Sequence, residues 1–75
     1  LVLCTFPGQT EARQIGTELV RLQLAACVNL CPQVESIYRW QAQIETSAEV
    51  LAIFKTTAGA LPALERELAA RHPYD

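Results

Sequence analysis

Several residue pairs in this sequence have the types and spacing to do chemistry. Cys4 lies near one end of the chain and His72, its single histidine, near the other. A thiolate and an imidazole suit Cu(I), Cu(II) or Zn(II). Two ligands are too few for a complete metal site, so an oligomer would have to supply the rest. The same residues also read as packing: Cys4 as a small core residue, and His72 as a cation favoured at a helix C-terminus. Cys27 and Cys31 alternate with Val28 and Leu30, which puts both thiols and Asn29 on one strand face. Core or interface packing is the simpler use of that face. A Cys-His nucleophilic pair would need a third group to orient the base, and none is evident. Glu45 and Glu49, four apart on a strand, share a face and read as solvated or interface charges. Tyr38 and Trp40 alternate beside a hairpin tip, where exposed aromatics mark an interface. There is no phosphate loop, Ser-His-Asp set or CxxC pair. The expectation is a non-enzymatic protein.

The elements that must position these residues follow from periodicity. Residues 1–5 form a short apolar run ended by Phe6-Pro7-Gly8, a buried strand and a turn. From Thr10 the period becomes helical: Ala12, Ile15, Leu19, Leu22 and Ala26 form one stripe, which predicts a helix over about 10–25. Gly16 sits on that stripe and costs about 1 kcal/mol against Ala, so a close approach to the sheet is expected there. Residues 27–31 predict a second strand, broken at Pro32 by a bulge or edge and resumed over 34–40. A polar turn at 41–43 leads into a long third strand over 44–56. Thr56 or Thr57 then caps a second helix, with Leu61, Leu64 and Leu68 inward and Pro62 in its first turns. Pro73 ends it near Arg71.

Strand, helix, strand implies a crossover with the first two strands parallel. The hairpin returns the third strand antiparallel between them. This is an α+β, ferredoxin-like split β-α-β domain, β-α-β-β-α as written, and residues 1–75 make one domain. The topology brings Cys4 and His72 to the same end. It also leaves a problem. Val50, Ala52 and Phe54 point one way while Leu51 and Ile53 point the other, and two helices cover only one face of the sheet. A sheet apolar on both faces needs a second cover, so an oligomer is expected.

Composition agrees. Apolar residues make up 51% of 75 residues and charged ones 19%, more apolar surface than so small a domain can hide. Six basic residues against eight acidic ones leave a net charge of −2 and no basic stripe, which argues against nucleic acid. No apolar run approaches the roughly 20 residues of a membrane span. An odd cysteine count with no secretory signal pattern predicts three free thiols and a cytoplasmic protein. The first residue is not Met, and the last follows directly on a helix; a longer protein is expected.

In this order and spacing, the sequence resembles the CutA divalent-cation-tolerance family. The resemblance rests on Leu3-Cys4-Thr5, Leu24-Ala25-Ala26-Cys27-Val28-Asn29, and Tyr38-x-Trp40 followed by Ile44-Glu45 and Glu49. Lys55-Thr56 and His72-Pro73-Tyr74 complete it. It covers the whole chain. It implies a homotrimer whose long hairpin embraces a neighbour, with Tyr38, Trp40, Ile44, Glu45 and Glu49 at the interface. It implies tolerance of divalent cations, copper above all, with Cu(II) or another divalent cation as a possible but not obligatory ligand of Cys4 and His72. An alternative is a small-ligand signalling trimer like the nitrogen-regulatory PII proteins. Two positions depart from the family: Arg71 stands where a second His is usual and cannot ligate, and Ala42 replaces a turn Gly, implying another turn type or strain. The family continues past position 75 with another strand and a terminal helix.

Overall fold

The computed structural model describes residues 1–72. Pro73, Tyr74 and Asp75 lie outside the described residues, and so does the stop expected at Pro73. The elements are β1 (Val2–Phe6), α1 (Gln9–Arg21), β2 (Cys27–Trp40), β3 (Gln43–Lys55) and α2 (Leu61–Arg71). The sheet order is β1-β3-β2, with β3 antiparallel to both neighbours. This is the α+β split β-α-β arrangement expected from the sequence.

Cross-strand register sorts the side chains by face. Val2, Cys4 and Phe6 stand opposite Phe54, Ala52 and Val50, and Val28 and Leu30 stand opposite Phe54 and Ala52. These residues face the helices, where Phe6, Leu19, Phe54 and Leu64 are fully buried. Each such side chain contributes about 1.5–3 kcal/mol on burial. Gly16 has a steric reason: a Cβ there would sit 3.1 Å from Val28 Cγ1, so α1 lies against β2 at a distance only glycine allows comfortably. At the far end of β3, the Thr56 hydroxyl donates to the Leu24 carbonyl at 2.7 Å and the Ala26 N–H to the Lys55 carbonyl at 2.8 Å. These bonds tie the entry of β2 to the exit of β3.

Several boundaries differ from the sequence expectation. α1 ends at Arg21, four residues short of the predicted end at 25, because Gln23 takes a left-handed φ of 62°. The Gln23 N–H then bonds Val20 O and the Leu24 N–H bonds Leu19 O, a Schellman closure built without glycine. β2 is one strand of 14 residues with a bulge between Cys31 and Val34, where Gln33 has φ 64°. The extra residue reverses the alternation, so Cys31 and Val34 end on the same face. The hairpin turn is Gln41-Ala42, with φ of 51° and 65°, the positive pair of a type I′ turn. Of the two threonines, Thr57 makes the cap-like bond, accepting the Ala60 N–H at 3.2 Å.

Candidate functional site

Cys4 reaches the β1–α2 end from the sheet and His72 from the helix. Cys4 is on β1, half-buried against the core. His72 is the C-cap of α2, its N–H bonded to Leu68 O at 2.8 Å. Both line one groove together with Leu3, Glu65 and Leu68. The end of β1 and the end of α2 therefore meet, as the topology requires. Glu65 was missed as a lining residue. The signal was present, since 65, 68 and 72 fall on one stripe of a helix.

The polarity of the pair is informative. His72 Nε2 lies 2.6 Å from the Thr5 carbonyl oxygen. A carbonyl can only accept, so Nε2 carries the proton. The imidazole also packs on Phe6, with ring centroids 4.9 Å apart and planes tilted by 42°. Cys4 Sγ lies 3.9 Å from the same carbonyl, a long and weak S–H contact. Burial pushes the Cys4 thiol pKa up, which keeps it protonated at neutral pH. Arg71 folds back on Glu67, with Nη2 and Nε at 2.9 and 3.1 Å from one carboxylate oxygen. Among the described residues, no three His, Cys, Asp or Glu side chains come together as a metal-holding set. The donor types suit copper, but among the described residues the set is incomplete.

The second region is the outer sheet face and the hairpin that extends it. Leu3 is 64% exposed there. Leu51, Ile53, Cys27 and Cys31 are half-buried beside it. The three thiols are free. Cys27 and Asn29 share a face, with Sγ 3.9 Å from Oδ1. Further along, Tyr38, Trp40, Glu45 and Glu49 line one shallow concavity with Thr5, Ser36 and Ser47. Ile44 does not join them. It pairs with Arg39 on the opposite face of the hairpin, 64% exposed, beside Ile37 at 67%. Ile37 was missed, although its alternation with Tyr38 and Trp40 carried the signal.

Among the described residues, a three-stranded sheet with helices on one face, the ends of β1 and α2 closed around Cys4 and His72, and a long two-stranded arm define a ferredoxin-like α+β protein. The chain belongs to the CutA1 divalent ion tolerance protein family, whose sequence profile matches residues 1–75. It is 46% identical over 74 residues to the divalent-cation tolerance protein CutA of Thermus thermophilus, covering 99% of this chain and 72% of that one. It is 44% identical over 71 residues to mouse protein CutA, covering 95% of this chain and 40% of that one. The chain thus spans less than half of the mouse relative. The Thermus thermophilus structure matches with a TM-score of 0.88 over 96% of this chain and 70% of that one, at 46% identity. The crystal structure of CutA1 from rice matches with a TM-score of 0.92 at 37% identity, covering 97% of this chain and 67% of that one. A rice relative at 37% identity over 75 residues, covering 100% of this chain and 42% of its own, is named as chloroplastic.

Proposed function

We propose that this chain is the subunit core of a non-enzymatic homotrimer that confers tolerance of divalent cations, copper first among them. The observation that carries the assembly is the uncovered second face. Leu3, Tyr38 and Trp40 stand exposed on that face beyond a core that is already closed, and Ile37 and Ile44 stand exposed on the other face of the hairpin arm. Light scattering on the full-length protein tests it: a trimer is expected at micromolar concentration, and a monomer there refutes the reading. No described helix is long and apolar enough to cross a membrane. The proposed partners are copies of the same chain, not nucleic acid, and the proposed location is cytoplasmic, although the rice relative's name places that protein in the chloroplast.

The proposed cation contact is the Cys4–His72 end, with no cation obligatory. Support comes from the two soft donors on one groove. The contact is weak, because Arg71 brings a guanidinium with no lone pair to the residue before His72. Arg71→His should tighten Cu(II) binding by about tenfold or more, in line with the effect of adjusting a metal site's surroundings. Isothermal titration of both proteins checks this. Equal affinities, together with an unchanged titration for Cys4→Ser, would remove the cation from this end.

A further inference from the structure

Both candidate donors are aimed at a single acceptor, the Thr5 carbonyl, at 2.6 Å from His72 Nε2 and 3.9 Å from Cys4 Sγ. We infer that His72 is a clasp that closes the last turn of α2 onto the end of β1, and that ligation through Nε2 opens it.

Three observations support the clasp. The Nε2–H bond joins residues 67 apart in sequence, the end of the second helix to the end of the first strand. The ring is seated on Phe6, which is fully buried, so the contact anchors at the core. The His72 N–H also closes α2 on Leu68, making one residue both helix cap and cross-link. Among the described residues β1 lies at the edge of the sheet, bonded to β3 on one side only. A cross-link at its end therefore fixes the strand carrying Cys4.

The consequence for cation chemistry is one of exclusion. A nitrogen that donates its proton to Thr5 has no lone pair to give. Ligation through that nitrogen requires loss of the proton and of the hydrogen bond, so closure of α2 on β1 opposes it. This part rests on the cation reading proposed above. The clasp itself does not.

The test uses three full-length proteins: wild type, His72→Gln and His72→Ala. The Gln amide places an N–H near the position of Nε2. His72→Ala should lower Tm by about 5 °C, the scale of one lost hydrogen bond in a domain of this size, and His72→Gln should recover at least half of that loss. Nitrogen NMR of the wild type should report the Nε2–H tautomer. Equal losses for Ala and Gln, no loss for either, or an Nδ1–H tautomer would overturn the clasp. Cu(II) ligated through Nε2 of the wild type should speed hydrogen exchange in the last turn of α2 on the order of tenfold, as local opening does. Copper bound through His72 Nε2 with unchanged exchange would overturn the exclusion. If copper does not bind while the variants behave as stated, the clasp stands and the cation reading falls.

Discussion

The body of the domain and its hairpin arm are made of similar residues used in opposite ways. In the body, Phe6, Phe54, Leu19 and Leu64 are wholly buried under two helices. In the arm, Ile37, Trp40 and Ile44 are 67%, 60% and 64% exposed, and they occupy both faces of a ribbon with no described helix over it. The arm draws the molecule out to 40 × 20 × 18 Å. An isolated two-stranded ribbon is marginally stable in water. Its apolar residues do little for the fold of one chain, and the proposed assembly would cover them. Burial supports the body, and assembly is what would support the arm.

The strongest way to break this contrast is to empty the body. Phe54→Ala removes a fully buried ring at the centre of the sheet, where Val2 and Val28 flank it. The expected cost is about 3–5 kcal/mol, much of the stability of a domain this small. Urea unfolding followed by circular dichroism should show the midpoint collapse. Retention of a near-wild-type midpoint would show that stability resides elsewhere, in subunit contacts.

The matching change in the arm is Trp40→Ala. It should leave helical circular dichroism intact while weakening assembly by about 2 kcal/mol, roughly thirtyfold, as central interface aromatics do. Sedimentation against concentration reads this directly. An unchanged assembly constant would take Trp40 out of the interface. A lost fold would erase the distinction between body and arm.

The body was more legible in the sequence than the arm, for physical reasons. Helix and strand periods report burial. The stripe of Ala12, Ile15 and Leu19 and the alternation of Val50, Ala52 and Phe54 therefore named the core and the order of strands. Boundaries failed where conformation departs from residue type. Gln23, Gln33, Gln41 and Ala42 all take positive φ without being glycine. No local signal marks such a position, because the surrounding structure imposes it. The site was half legible. Topology put Cys4 and His72 at one end, but the Thr5 carbonyl that both approach is backbone, and backbone acceptors leave no trace in residue type. The resemblance groups Ile44 with Tyr38 and Trp40, and the pleat places it on the other face of the ribbon.

A smaller effect sharpens the contrast at the hairpin tip. Ala42 holds φ 65° in a turn that favours glycine. Ala42→Gly should relieve about 1 kcal/mol of backbone strain. If the arm belongs to the assembly and not to the body, the gain appears in trimer stability. A gain confined to unfolding of the isolated subunit would place the turn in the body's energetics.

The smallest effect concerns Cys4, which sits where the body's core meets the groove. Burial raises its thiol pKa in the folded chain. The unfolded chain keeps an ordinary cysteine value near about 8.5. The folded state therefore holds the proton to higher pH than the unfolded state does. Between those two values the unfolded chain binds fewer protons, so stability falls as pH rises. Below the unfolded value the contribution is complete, and nothing changes near neutrality. Wild type and Cys4→Ser should then show a constant difference in urea midpoint from pH 6 to about 8, narrowing as pH climbs above that range. Alkylation of Cys4 in the native protein should follow the same shift, reaching half its maximal rate at a pH above that of free cysteine. A native Cys4 that alkylates as fast as free cysteine at pH 7 would contradict its burial. It would instead mark a thiolate available to a soft cation, and the groove would then be a binding surface more than an edge of the core.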